Sequence, residues 1–228
     1  MNADERIHLA IIPDGNRRWA KKRLLQPWKG HETSAQNFET LLNWAQEDGR
    51  IGTFTIWCFS TENWKRSPDE VEKLMEIFAA YLRDKTEELK QKNVRIIHSG
   101  RKDRFSESLR TQLEHSIETT KDCDGFTLQL AVDYGGKDEL VRAMKRLTEG
   151  APIDISEESI RACLDHPEVP DIDLIVRTSG EQRTSNFFLW QSAYAEWMFL
   201  EKHFPDVTTD DLKAAVDAYA KRQRRFGS

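Results

Sequence analysis

Short apolar runs alternate with longer amphipathic stretches along most of this chain, and that alternation limits the fold more than any other feature. Uninterrupted apolar runs of roughly four to eight residues suit strands buried on both faces. Parallel strands in turn need crossovers long enough to hold a helix. The spacing predicts strands over residues 7–12, 53–59, 94–98, 126–132, 173–177 and 187–190 or slightly beyond, with helices between them. The expected fold is α/β: a single domain over residues 1–228, with a central, mainly parallel six-stranded sheet flanked by helices.

Two helices carry recognisable signals. Ser67-Pro68-Asp69-Glu70 supplies a cap, a proline at the first helical position and acid in the first turn, so a helix starts there and runs to about Lys92. Val71, Leu74, Met75, Phe78, Tyr81 and Leu82 make its apolar face. A second helix is expected over residues 33–48, with Phe38, Leu41, Leu42 and Ala45 inward and Gly49 as its stop. Residues 150–171 are looser, with Pro152, Pro167 and Pro170 around a short helix at 157–164.

Charge and cysteine usage narrow the functional classes. Lys plus Arg number 34 against 39 Asp plus Glu, which leaves no electrostatic footprint for nucleic acid. Any anion site must be local. Cys58, Cys123 and Cys163 lack metal or disulfide spacing and are expected as reduced thiols. With no secretory signal, no apolar run of about 18 residues and no lipidation motif, the expected location is cytoplasmic. Peripheral contact with a membrane stays open, because a lipid substrate would favour it.

The most chemically loaded stretch is His8 to Ala20, where an apolar run breaks into Pro13-Asp14-Gly15-Asn16-Arg17-Arg18 at a strand-to-helix turn. Gly15 relaxes the backbone, the arginines supply charge for a polyanion, and Asp14 is a hard oxygen ligand of the kind magnesium prefers. The same residues also serve ordinary turn chemistry with solvated charges.

Asp14-Gly15-Asn16-Arg17-Arg18-Trp19-Ala20, Gly30-His31, Phe59-Ser60-Thr61-Glu62-Asn63-Trp64-Lys65-Arg66, Tyr134-Gly135-Gly136, Arg177-Thr178-Ser179-Gly180-Glu181, Arg183-Thr184-Ser185-Asn186-Phe187, Glu196 and Arg225-Phe226-Gly227 occur in this order. Together they resemble the cis-prenyltransferases, the undecaprenyl diphosphate synthase family. The resemblance implies a transferase that condenses isopentenyl diphosphate with an allylic diphosphate, farnesyl or shorter, to a Z-polyprenyl diphosphate. It implies a hydrophobic tunnel between the two long helices and the sheet, although the same apolar periodicity describes ordinary core packing.

The resemblance also implies roles. Asp14 and Glu196 would bind Mg2+, although Glu196 also reads as a paired carboxylate at a strand start. Gly15, Asn16, Arg17, Arg18, Trp19 and His31 would bind the allylic diphosphate, and Arg177, Arg183 and Ser185 the homoallylic one. Ser60, Asn63, Trp64, Arg66 and Glu70 would form the segment that closes over substrate. Ser60 and Asn63 are candidates for handling the proton, as is the departing pyrophosphate. Arg225 and Gly227 would reach a neighbouring subunit, implying a homodimer.

Three departures stand out. Pro27 occupies a position where the family usually carries a phosphate-binding arginine, Gln182 stands where a histidine is common, and His98-Ser99-Gly100 replaces a familiar Gly-Asp. Phe38 and Tyr81 place rings where long-chain relatives often have smaller side chains, which leads us to expect a short or medium product, C55 or below. Two further readings stay open: a non-catalytic partner subunit of a heteromeric enzyme, and an irregular coupling enzyme on the same fold.

Overall fold

The computed structural model describes residues 6–149 and 155–222. Its sheet contains β1 (Ile7–Ile12), β2 (Ile51–Ser60), β3 (Val94–Ser99), β4 (Phe126–Tyr134), β5 (Leu174–Arg177) and β6 (Glu196–Phe199). Every pairing is parallel, so the sheet is wholly rather than mainly parallel, and the strand order is β3-β4-β2-β1-β5-β6. The helices are α1 (Asn16–Lys22), α2 (Pro27–Glu47), α3 (Pro68–Gln91), α4 (Glu107–Thr120), α5 (Gly136–Thr148), α6 (Glu157–Ala162) and α7 (Thr209–Lys221).

Side-chain alternation divides each central strand between two cores. Leu9 and Ile11 of β1 face the larger core, which is filled by Phe38, Leu41 and Leu42 of α2, Leu74, Phe78 and Leu82 of α3, and residues of α4 and α7. Ala10 and Ile12 face the smaller core, built around Tyr134, Phe187 and Phe188.

The sixth strand differs from expectation. Residues 187–190 are apolar enough to read as a strand, yet Phe187 and Phe188 instead plug the smaller core, with Phe188 stacked on Tyr134 at 4.1 Å. Ser185, Asn186 and Phe188 have positive φ, a backbone that cannot join a ladder. The strand is Glu196–Phe199, paired along β5 from Leu174–Glu196 to Arg177–Phe199. Also, α2 begins six residues before the predicted start, because Pro27 sits at its first turn.

Candidate active site

From β1 the chain crosses to β2 on one side, while β5 lies on the other and continues outward to β6. A crevice therefore opens beyond the carboxyl ends of β1 and β5, the switch point at which open parallel sheets place ligands. Asp14 follows β1 there. Its backbone N–H donates to Thr178 Oγ1 (2.8 Å), and its carbonyl accepts from that hydroxyl (2.8 Å) and from Phe204 N (3.1 Å).

The Asp14 carboxylate is fixed on both oxygens. Arg177 Nη2 donates to Oδ2 at 2.9 Å, Gly15 N to Oδ1 at 2.7 Å, and Arg18 Nη2 approaches Oδ1 at 3.4 Å. Burial opposes its ionisation, but the Arg177 bond, the Gly15 N–H and the charges of Arg177 and Arg18 outweigh that and hold the carboxyl below its usual range. Gly15 has φ +92°, and a Cβ there would lie 2.5 Å from His203 Nδ1 and 2.6 Å from Ser179 Oγ, so the turn admits no side chain.

The helices after this turn cross closely. A Cβ on Gly30 of α2 would lie 2.1 Å from the Asn16 carbonyl. That closeness lets Ser34 Oγ donate to Asn16 Oδ1 (2.8 Å) and turns the Asn16 amide toward Pro13 O (3.1 Å) and His31 Nδ1 (3.4 Å). Arg66 Nη1, which can only donate, faces Nε2 at 3.5 Å, so both ring nitrogens of His31 meet donors and neither is fixed as the carrier of the proton. Burial, with the charges of Arg66 and Arg17, pushes the His31 pKa down to about 3, so the ring is neutral.

Glu70 gathers the cations on this side of the cleft. Its Oε1 lies 3.0 Å from Arg66 Nη1, 3.6 Å from Arg17 Nε and 3.8 Å from His31 Nε2, and its side chain is only 6% exposed. Across the cleft Arg177, 4% exposed in its side chain, also donates to Ser185 Oγ (2.7 Å) and to the Arg183 carbonyl. Its Nε is buried without a partner. Arg183 and Arg18 both bind Glu181, Arg18 at 2.7 Å.

Two spaces meet at Pro13, Asn16 and His31. An open cleft of about 680 Å³ is lined by Asp14 to Arg18, His31 and Arg66, with Leu24, Leu25 and Pro27 on its wall. A narrow apolar cavity of about 100 Å³ starts at Pro13, Asn16 and His31 and runs between α2, α3 and the sheet. Phe38, Cys58, Leu74, Phe78 and Tyr81 are among its walls. Phe38 and Tyr81 meet within it at 5.8 Å, so their rings narrow it.

Other expected site residues sit elsewhere or do other work. Trp19 is buried, donating to Asp206 Oδ1 (2.7 Å) beneath the Arg23 guanidinium, so it packs the back of α1 and does not line the cleft. Trp64 donates to the buried Asp133 (2.9 Å), which Arg104 also holds. Ser60 and Asn63 form a capping box at the end of β2, with Ser60 N donating to Asn63 Oδ1 at 3.1 Å.

Glu196 begins β6 beside Leu174, three positions back along the sheet from the rim residue Arg177, and is paired with Arg222 at 2.8 Å. Within the chain Glu196 thus stands back from the rim that carries Asp14. Arg225 and Gly227 lie outside the described residues. Sequence reasoning gave no role to Thr178, Ser34 or His203. Single hydroxyls and a lone histidine carry no spacing signal, and only the folded crevice brings Thr178 to Asp14, Ser34 to Asn16 and His203 against Gly15 and Ser179.

Among the described residues, no group of three or more His, Cys, Asp and Glu side chains is placed to share a metal ion. An ionised Asp14 at an open rim is nevertheless the donor that a magnesium ion needs when phosphate oxygens and water complete its shell.

Comparison with known proteins gives concordant matches. The Prenyltransf family model, undecaprenyl diphosphate synthase, matches residues 12–227. An isoprenyl transferase of Thermotoga maritima is 45% identical over 224 residues, covering 96% of each chain. A tritrans,polycis-undecaprenyl-diphosphate synthase (geranylgeranyl-diphosphate specific) of Thermococcus kodakarensis is 40% identical, covering 96% of this chain and 86% of that one. The crystal structure of lavandulyl diphosphate synthase from Lavandula x intermedia, in complex with dimethylallyl diphosphate, superposes with a TM-score of 0.93 at 35% identity, covering 98% of this chain and 99% of that one.

Proposed function

The chain belongs to the undecaprenyl diphosphate synthase family, and from that premise we propose how its residues divide the chemistry and how long a product they build. It is a cis-prenyltransferase, which joins isopentenyl diphosphate to an allylic diphosphate to give a Z-polyprenyl diphosphate. The observation that carries the division of roles is the Asp14–Arg177 pair at the sheet rim, set beside an apolar cavity that opens at His31.

In the reaction the allylic C–O bond breaks, pyrophosphate leaves, the isopentenyl double bond forms the new C–C bond, and one proton is lost. Arg17, Arg18 and Arg66 with Asn16 and the Gly15 turn bind the allylic diphosphate, and neutral His31 stands beside it where the apolar cavity opens. Arg177, Arg183 and Ser185 bind the homoallylic diphosphate. These charged donors meet the charge that develops on the leaving group, in a site whose apolar side excludes water. Asp14 would hold a magnesium ion shared with the diphosphates, and the ion would supply further neutralisation of the leaving group. Ser60 and Asn63 order the segment that leads to Arg66. Neither is a strong base, and we assign the proton to the departing pyrophosphate, the most basic group released beside the new bond.

The cavity supports a short or medium product, C55 or below, since Phe38 and Tyr81 narrow the space that a growing chain would fill. Irregular coupling is a second reading, favoured by Pro27, Leu24 and Leu25, which make one wall of the cleft apolar where a further phosphate donor was expected. We also propose a homodimer, because β6 ends the sheet with a free edge carrying stacked, half-buried Trp197 and Phe199. Among the described residues no helix is long and apolar enough to cross a membrane, and a cytoplasmic, peripheral location is proposed.

The test is product identification by reverse-phase chromatography. The purified chain receives Mg2+, isopentenyl diphosphate, and dimethylallyl, geranyl or farnesyl diphosphate separately. Z-prenyl products up to C55 are expected. A population beyond C55 overturns the length assignment, coupling of two dimethylallyl units supports the irregular reading, and no incorporation with any primer supports a partner subunit.

A further inference from the structure

The turn that ends α1 has an unusual residue for its backbone. Leu25 N donates to Ala20 O (2.9 Å) and Leu24 N to Lys21 O (3.1 Å), closing the helix with Leu24 at φ +56°. Glycine ordinarily fills this left-handed position, because a Cβ is strained there. Here it holds a leucine that is 96% exposed, followed by Leu25 at 44%. Neither side chain packs in the hydrophobic cores.

Positive charge surrounds these leucines. Lys21, Lys22 and Arg23 precede them and Lys29 follows in the first turn of α2, all exposed. Two of these charges are paired, Arg23 with Asp206 (3.3 Å) and Lys29 with Glu32 (2.7 Å), so Lys21 and Lys22 carry the net positive charge of the turn. A basic, leucine-tipped turn on a chain of net charge −5 is a local feature rather than a consequence of composition. Lysine beside exposed apolar side chains matches an anionic bilayer surface, where headgroup phosphates meet the charges and the acyl boundary takes the leucines.

We propose that residues 21–25 form a docking loop for an anionic lipid surface. The inference rests on the prenyl-transfer reading, because Leu24 and Leu25 also stand on the wall of the cleft that holds Asp14 and Arg18. Docking through them sets the mouth of the site against the phase in which a prenyl product dissolves.

The test is flotation of the full chain with phosphatidylcholine vesicles made with and without phosphatidylglycerol, at low and high salt. The chain should float with the anionic vesicles and be released by salt. Leu24→Gly and Leu25→Ser should each lower partition about tenfold, and Lys22→Glu about fivefold. Leu24→Met should retain it. Because glycine suits the backbone of residue 24, Leu24→Gly should lose flotation without lowering Tm, a combination that a structural role for the leucine does not give.

The proposal is overturned if the wild-type chain stays in the buffer, floats equally with neutral vesicles, or if Leu24→Gly floats as well as wild type. It is also overturned if Leu24→Gly changes oligomeric state by size-exclusion chromatography and leaves flotation unchanged, since the turn then meets a second copy. Isopentenyl incorporation in the same samples separates the two readings. Turnover without flotation removes the docking loop alone, and flotation without turnover on any primer removes the enzymatic reading alone.

Discussion

Arg177 Nη2 lies 2.9 Å from Asp14 Oδ2, joining the ends of β5 and β1 across 163 residues of sequence. The arginine is nearly sealed from water while the aspartate keeps one side toward the cleft. The carboxylate thus has two tasks: facing substrate and compensating a buried guanidinium. A plain turn carboxylate would be dispensable to the fold, but this one is not, so Asp14→Ala should destabilise as well as inactivate, by up to about 3–5 kcal/mol. Asp14→Asn keeps a hydrogen-bond acceptor and is the cleaner probe. It should lower kcat/KM by about 10²- to 10³-fold or more with a smaller change in Tm, read by steady-state assay and thermal melt together. Arg177→Lys should also lose most activity, because an ammonium cannot reach Asp14, Ser185 and the Arg183 carbonyl at once.

Phe38 and Tyr81 meet at 5.8 Å inside the apolar cavity, and Phe38 also stacks on Phe54 at 5.9 Å. Removing both rings should open the floor and lengthen the product, visible as a shift to later reverse-phase peaks. Phe38→Ala should lower stability by about 3–5 kcal/mol, because Phe38 is a core residue as well as a wall. Tyr81→Ala alone is therefore the safer first variant. An unchanged product distribution in a folded double variant would place the length limit elsewhere.

The strands of the sheet were legible because unbroken apolar runs have few other uses, and α3 because Ser67, Pro68 and Glu70 mark its start unambiguously. The last strand was not. Phe187 and Phe188 are as apolar as any strand, but positive φ at Ser185, Asn186 and Phe188 makes them a plug, and φ is not written in hydropathy. Glu196 illustrates the same limit within the site: its identity was legible and its height on the sheet was not, because pairing register is set by contacts with β5. Asp14 was legible as a hard acid at the turn after the first strand, whereas Arg177 and His31 were implied by the family resemblance and by no local pattern. Ser34 and Thr178, which hold Asn16 and Asp14, have no such signature.

Glu70 pairs with two of the cations proposed to bind the allylic diphosphate. Arg66 and Arg17 converge on its Oε1 beside the neutral His31, so an incoming anion competes with a carboxylate already in place. Glu70→Gln should tighten inorganic pyrophosphate as a competitive inhibitor by about tenfold, the gain reflecting one buried charge removed from the cluster. It should also weaken the fold by about 1–3 kcal/mol, since Arg66 loses a charged partner. Inhibition constants and melts on the same variant test both; unchanged inhibition would mean that pyrophosphate does not use these cations.

Chelation should separate chemistry from folding. Asp14 is the one carboxylate at the rim proposed to hold magnesium, and its own bonds run to Arg177 and Gly15 rather than to other acids. Removing divalent ions with EDTA should therefore abolish turnover, reversibly on adding Mg2+, while leaving Tm unchanged. A large drop in Tm on chelation would instead identify a structural ion.

Acid should destabilise the fold in a window set by buried imidazoles. His8 is enclosed on β1, with Nδ1 at 2.8 Å from Pro170 O and Nε2 at 2.6 Å from Thr55 Oγ1; burial lowers its pKa to about 4, against the upward pull of the Pro170 bond. Burial likewise lowers His98 to about 4, although its bond to Val132 O opposes this. An unfolded histidine titrates near 6.5, so as pH falls below that value the unfolded chain binds protons that the folded chain refuses. Stability is then complete above about pH 6.5, falls as pH drops, and stops falling through these groups near pH 4, with each ring contributing on the order of 3 kcal/mol. Ionised carboxylates such as Asp165, held below their usual range by Arg142 despite burial, act at lower pH, while buried Glu139, raised by burial and by the charge of Asp165, takes up its proton above the usual carboxylate range and works against the slope. Urea titrations across the range should show the slope, and His8→Gln should remove about a third of it, having taken away one of three buried imidazoles, with His31 as the third. A flat profile between neutrality and pH 5 would mean that His8 and His98 are open to water and protonate in the native state.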